Sequence, residues 1–292
     1  MINSINFQTP KFFRPPQYGE IITFNGRQYF IGNSINQGNF GQVFECEDEW
    51  GNELAAKVLT PRNQSYEDVW GQWLREKNNL INLRHPNITY IHTSFECENT
   101  FYIILERCHS TLNNVIEIKQ YDMREALLPY IARDILQALD FIHNYKEGYV
   151  HLDIHPGNIF VFEVKDIINP EKDPIYKFKI GDLGISRPEK YLNVSNTMAQ
   201  WMLPPEHFNE TEFGNIQRQV DIYHTGLLLL SLLLGYVPQF TQQEILDGKP
   251  RKIAESLSSP YSDAIAKALR RHVADRTQSA LDLWREISEA SQ

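Results

Sequence analysis

Between Glu20 and Glu106 the apolar and polar residues fall into short β-like runs: EIITF, RQYFIG, QVFECED, ELAAKVL, ITYIHTSF and TFYIILE. A period near two over four to eight residues predicts strands. One stretch departs from it. In SYEDVWGQWLREKNNLINLRH, Trp70, Trp73, Leu74, Leu80 and Leu83 fall near helical spacing and predict a helix with one apolar face. From Thr111 onward the period lengthens, and TLNNVIEIKQ, MREALLPYIARDILQALDFIHNY, VDIYHTGLLLLSLLLG and SDAIAKALRRHV predict helices. Short strands interrupt them around Ile159–Glu163 and Tyr176–Gly181, separated by the polar insertion VKDIINPEKDPIY. The pattern is α+β: residues 1–19 read as an N-terminal arm, 20–106 as an antiparallel β lobe with one main helix, and 107–292 as a mostly helical lobe. The junction of two such lobes is a common place for a ligand cleft.

Composition adds mainly exclusions. The 292 residues are 42% hydrophobic and 22% charged, which is ordinary for a globular chain. A net charge of -9 argues against a nucleic-acid partner, which would call for a basic face. The three cysteines, Cys46, Cys97 and Cys108, lie far apart and read as reduced thiols of a cytosolic protein. The start, MINSINFQTPKFFRPPQYGE, lacks the pattern of a signal peptide. The longest apolar run, GLLLLSLLLGYV, has 12 residues against the ~20 of a membrane span, so it reads as a buried helix. A soluble, cytoplasmic protein with no membrane partner is expected.

Five stretches carry candidate chemistry. In INQGNFGQVF, Gly38 and Gly41 could bring backbone N–H groups close to a phosphate, although a glycine-containing hairpin explains them as well. In ELAAKVL, Lys57 stands in an apolar run, either as an edge-strand charge or as a buried ion. Glu76, on the first helix, is either its partner or a surface glutamate. YVHLDIHPGNIFV sets His151, Asp153, His155 and Asn158 close together. Metal binding by the two histidines would need a helix to share a face, and Pro156-Gly157 argues for a loop. KIGDLGISR places Asp182 among glycines and apolar residues, and the oxygen set Asp153, Asn158, Asp182 is of the type that holds Mg²⁺ and phosphate oxygens.

In this order the five stretches resemble a eukaryotic-like protein kinase domain: glycine-rich loop, strand lysine, helix glutamate, catalytic loop and magnesium aspartate. The likeness runs from about Tyr29 to Ile287, with echoes in HPNI at His85, PPE at Pro204–Glu206, VDIYHTG at Val220 and Arg276. It implies a bilobal kinase fold, ATP and Mg²⁺ as cofactors, and a protein substrate phosphorylated on Ser or Thr. By this resemblance, Asn36, Gly38 and Gly41 cover the phosphates. Lys57, oriented by Glu76, holds the α- and β-phosphates. Asp153 serves as catalytic base, and Asn158 and Asp182 bind the metal. Val43, Ala55 and Phe160 flank the adenine, Glu106 and Cys108 offer it a carbonyl and an N–H, and Leu105 guards the back of that pocket. His151, Asp221 and the pair Glu206–Arg276 are structural in such a domain.

Several positions depart from the family pattern. Asn36 stands for the first loop glycine, where its tolerance of left-handed backbone is expected to limit the loss. Leu183 replaces a phenylalanine. Leu152 replaces the arginine that normally receives an activation-segment phosphate, which predicts activity without that phosphate. His155 replaces a lysine, and Ala199 replaces the threonine that contacts it. The form HLDIHPGN also resembles the loop of aminoglycoside and choline phosphotransferases. A small-molecule kinase and a pseudokinase scaffold therefore stand as alternatives to a Ser/Thr protein kinase with His155 among its catalytic groups.

Overall fold

Apolar on nearly every position, Glu53–Leu59 must be covered on both faces, and the computed structural model places it in the interior of a sheet. The structure describes residues 13–37, 41–61, 64–166, 168–169, 171–172, 174–192 and 202–291. The chain divides into two compact units, one holding the residues up to Asn82 with Tyr90–Arg107, the other Leu83–Thr89 with Cys108 onward.

In the first unit, strands β1 (Ile21–Phe24), β2 (Arg27–Gln37), β3 (Gly41–Asp48), β4 (Glu53–Leu59), β5 (Ile91–Cys97) and β6 (Thr100–Glu106) form one antiparallel sheet in the order β1-β2-β3-β4-β6-β5. Ile31, Phe44, Leu54, Val58, Phe95 and Ile104 belong to its core, with Phe24 stacked on Phe95. Helix α1 (Tyr66–Asn82) lies against β5 and β6, and Trp73 donates its ring N–H to the Tyr102 carbonyl at 3.0 Å. The buried positions are Val69, Trp73, Glu76, Asn79 and Leu80, so Trp70, expected on the apolar face, instead points outward and is 43% exposed. Ahead of the sheet, Arg14 exchanges two hydrogen bonds with the Thr100 hydroxyl.

The second unit explains the HPNI echo. Asn87 and Thr89 exchange backbone hydrogen bonds with Ile180, and Asn87 also donates its side-chain amide to Phe178. That seam draws residues after α1 away from the sheet and into the helical unit. The unit contains β7 (Ser110–Thr111), α2 (Leu112–Ile116), α3 (Tyr121–Asn144), β8 (Tyr149–Val150), β9 (Ile159–Val164), β10 (Ile175–Ile180) and β11 (Arg187–Pro188). It continues with α4 (Pro205–Phe208), α5 (Glu210–Phe213), α6 (Gln219–Leu234), α7 (Gln242–Leu246), α8 (Lys249–Glu255), α9 (Ser262–Ala268) and α10 (Ala280–Ala290). β9 and β10 form the expected hairpin around the polar insertion, and β8 pairs with β11.

Helix α3 buries Leu128, Ile131, Ile135, Leu139 and Ile142 at helical spacing. It packs against α6 and α10, and α6 also packs against α9. α6 is buried on all sides from Gln219 to Leu233, which is why its sequence lacks an amphipathic period. Among the described residues no helix is long and apolar enough to cross a membrane. The short helices α4, α5, α7 and α8 and the terminal α10 are found beyond the helices that the sequence predicted.

Candidate active site

The sequence-predicted residues form two sets, one in each unit. In the first, β4 has β3 on one side and β6 on the other, so Lys57 is not an edge-strand charge. Its ammonium is buried and meets Glu76 Oε1 at 2.7 Å, with side chains 9% and 4% exposed. Two charges removed from water need close pairing, and the surface reading of Glu76 falls with the edge reading of Lys57. Val43 lies opposite Lys57 across the β3–β4 pair, and Ala55 opposite Leu105 across β4–β6. Glu106, at the end of β6, exchanges backbone and side-chain hydrogen bonds with Tyr90.

Gly38 lies outside the described residues. Gly41 is required by the sheet itself, since a Cβ there would fall 2.4 Å from the Val58 carbonyl oxygen. Asn36 is a strand residue opposite Val43 and has no positive φ, so its tolerance of left-handed backbone is not called on.

The second set is built on the loop from Val150 to Ile159. Asp221, fully buried on α6, accepts the N–H groups of His151 and Leu152, each at 2.8 Å, and its Oδ2 lies 2.8 Å from His143 Nε2 on α3. Burial alone would push the Asp221 carboxyl up, but the His143 bond and charge and the bonded amide outweigh it and hold the group below its ordinary range. Two consecutive amides aimed at one carboxylate require a sharply bent loop, and Leu152 takes φ +71 there.

Both ring nitrogens of His151 are engaged. Nε2 pairs with the Gly181 carbonyl at 3.1 Å, and Nδ1 accepts the Asp153 N–H at 3.2 Å. This fixes a neutral tautomer and removes His151 as a metal ligand. Asn158 donates its side-chain amide to the Asp153 carbonyl and to Asp153 Oδ2, at 3.0 and 2.9 Å. Its NH₂ is thereby committed to Asp153, and the amide oxygen remains as a hard ligand. Asp182, held at φ +56, supplies a carboxylate, so the pair offers the oxygen donors that Mg²⁺ prefers. Phe160 approaches this corner closely: a Cβ at Gly181 would lie 2.1 Å from its ring.

His155 caps the turn Pro156–Asn158, its Nδ1 accepting the Gly157 N–H at 3.1 Å. Its Nε2 therefore carries the proton in the neutral ring and faces Asp153 Oδ1 at 3.6 Å, outside direct hydrogen-bond range. Burial lowers its pKa to about 4, so at neutral pH it is an uncharged donor where the family pattern has a cationic lysine. Ala199 lies outside the described residues.

Burial lowers the pKa of five histidines of this unit, His85 and His207 among them. His151 is lowered, and His155 and His224 are lowered to about 4. A depressed histidine stabilises the fold fully above its ordinary value of 6.5 and loses that contribution as the pH falls through its folded value. The thermal midpoint is expected to drop by about 5 °C or more between pH 7 and pH 5. Scanning calorimetry across that window tests this, and a flat profile would contradict it.

Farther along, Glu206 on α4 and Arg276 form a fully buried bidentate pair at 2.7 and 2.8 Å, with Arg276 also donating to the Gln219 carbonyl and stacking on Tyr223. The sequence reading missed His143, Glu189 and Arg218. The last two are joined by a bidentate contact that no motif announces.

A buried strand lysine paired with a helix glutamate in one unit, and in the other a bent loop grouping a carboxylate with an amide, are the features that the sequence resemblance implies. The family model of the protein kinase domain matches residues 29–289, and the chain belongs to that family. It is similar to the cell cycle serine/threonine-protein kinase CDC5/MSD2 of Saccharomyces cerevisiae, 26% identical over 227 residues that cover 75% of this chain and 29% of the relative. The probable serine/threonine-protein kinase PknB of Lactococcus lactis is 30% identical over 222 residues, covering 72% of this chain and 32% of the relative. Serine/threonine-protein kinase TAO2 of Xenopus laevis is 25% identical over 207 residues, covering 70% and 19%. The chain thus spans about a fifth to a third of the length of these relatives.

Proposed function

We propose that this chain is an ATP-dependent protein kinase that transfers the γ-phosphate to a serine or threonine hydroxyl of a protein. The observation that carries this reading is the buried Lys57–Glu76 ion pair. Breaking such a pair leaves an uncompensated buried charge, and phosphoryl transfer requires this same cation held in place. Lys57 binds the α- and β-phosphates and Glu76 orients it, while Asn36, Gly38 and Gly41 cover the phosphates. Val43, Ala55 and Phe160 flank the adenine, with the Glu106 carbonyl and the Cys108 N–H at its edge. Asn158 and Asp182 would hold Mg²⁺, which when bound would neutralise charge on the phosphate oxygens. Asp153 takes the proton of the acceptor hydroxyl as its oxygen bonds to the γ-phosphorus and the bond to the β-phosphate oxygen breaks. Asn158, donating to Asp153 Oδ2, sets the orientation of that base.

The neutral His155 favours a second reading, a small-molecule acceptor, because the cation that Ser/Thr kinases place beside the transferred phosphate is missing. Against it, the PPE and VDIYHTG segments fold as α4 and α6 and are joined through Glu206, Arg276 and Gln219, as a protein-kinase activation segment requires.

The test is transfer of label from γ-labelled ATP with Mg²⁺ by wild type and Lys57→Met, offered a protein mixture and, separately, choline and an aminoglycoside. Label is expected on protein serine and threonine, reduced about 100-fold or more in the variant. Label confined to the small molecules would overturn the protein reading. Wild type no better than Lys57→Met would leave a scaffold.

A further inference from the structure

Leu152 stands where an arginine would receive a phosphate, and its own packing is apolar. It is 2% exposed and packed with Val150, Ile216 and Val220, against which Ile185, Leu192 and Leu203 also lie. Ile185 and Leu192 follow Asp182 in sequence, so the start of this segment is fastened by apolar contact to the cluster that holds the residue replacing the arginine.

Polar contacts fasten the same stretch. Ser186 donates its hydroxyl to the His151 carbonyl at 3.2 Å, β11 pairs with β8, and the Glu189 N–H donates to the Gly148 carbonyl at 3.0 Å. The Glu189 carboxylate receives a three-donor grip from one residue: Arg218 donates its backbone N–H at 2.9 Å, Nε at 3.2 Å and Nη2 at 2.6 Å. Arg218 immediately precedes α6, the helix that carries Asp221. Both side chains are about three-quarters withdrawn from solvent, at 22% and 31% exposure, and bidentate arginine–carboxylate contacts are the strong, geometrically specific kind. Lys190 pairs with Glu147 beside it.

We propose that Glu189, clamped by Arg218, is a built-in carboxylate that holds residues 186–192 in their working position without phosphorylation, so that Glu189 and Arg218 are positioning residues for Asp153 and Asp182. The clamp does the ordering that a segment phosphate held by a catalytic-loop arginine does elsewhere, with the base moved to a different element. The acid comes from the segment's own sequence, and the base comes from the start of α6. The proposal rests on the kinase reading for its catalytic consequence and on the contacts alone for its structural one.

The test uses the full chain as wild type, Glu189→Gln, Arg218→Gln and the double variant, each before and after phosphatase treatment. Trypsin cleavage after Lys190 and steady-state transfer to casein are both measured. Phosphatase should leave wild-type kcat unchanged. Each single variant should be cleaved about tenfold faster and lose about tenfold in kcat with KM for ATP unchanged, and the double should be no worse than either single, because one coupled contact is lost in all three. Arg218→Lys, which keeps the charge and loses the fork, should fall between. Additive losses in the double variant, or Glu189→Gln within twofold of wild type in both readouts, would overturn the clamp. If wild type transfers no phosphate, the kinase reading fails, while the cleavage rates still judge the clamp.

Discussion

Replacing Asp153 by asparagine is expected to lower kcat for phosphoryl transfer about a thousandfold, the scale of a positioned general base. The substitution keeps the shape of the side chain. Asn158 can still donate to an oxygen at the Oδ2 position, now 2.9 Å away, and the new NH₂ would sit at the Oδ1 position, 3.6 Å from His155 Nε2, without a clash. The backbone contacts of residue 153, its N–H to His151 and its carbonyl to Asn158, do not involve the carboxylate. The loop should therefore stand, with the thermal midpoint and the affinity for ATP close to wild type. Rapid-quench kinetics with isothermal titration of nucleotide measures both sides of this. A variant retaining more than about a tenth of kcat would remove Asp153 from the role of base.

The largest stability effect is expected at Glu206. Glu206→Gln should cost about 3–5 kcal/mol, because the Arg276 guanidinium would stay buried with its charge uncompensated. At this chain length that corresponds to a fall of about 10 °C in the thermal midpoint. The Glu206→Leu, Arg276→Met double change should cost less than Arg276→Met alone, since it removes both charges and leaves no stranded carboxylate. It should not be neutral, because Arg276 also donates to the carbonyls of Gln219 and Arg270. Denaturant melts of the single and double variants read the coupling. Equal losses for the double and for the sum of the singles would show that the pair is not an energetic unit.

How far the sequence foretold this molecule depends on what kind of signal each part leaves. The six sheet strands were legible as short apolar-rich runs, alternating where one face is buried and continuous where both are, as in Glu53–Leu59. The membership of Lys57 in a central strand was not, since an apolar run with one lysine is compatible with an edge or an interior until the neighbouring strands are known. α6 was legible only as a buried helix, because burial on all sides erases the period that would tell which residues face what. The catalytic loop was legible as a cluster through its spacing, while the direction of His155 depended on the Gly157 N–H that its Nδ1 caps. The Glu189–Arg218 clamp left no trace at all. Its residues are 29 apart and belong to no periodic element, and one glutamate looks like any other on a surface. Trp70 misled for the converse reason: aromatic character at near-helical spacing does not say which side of the stripe is covered.

Asp221 has a consequence for how the protein folds. Its fully buried carboxylate is satisfied by amides about 70 residues earlier in the chain. Opening the catalytic loop by itself would strand a buried charge, so the loop cannot fray as loops commonly do. It belongs to the same cooperative unit as α3 and α6, ordering only when that core closes and dissolving only with it. In this molecule the stretch that carries the candidate site is therefore among the last to loosen.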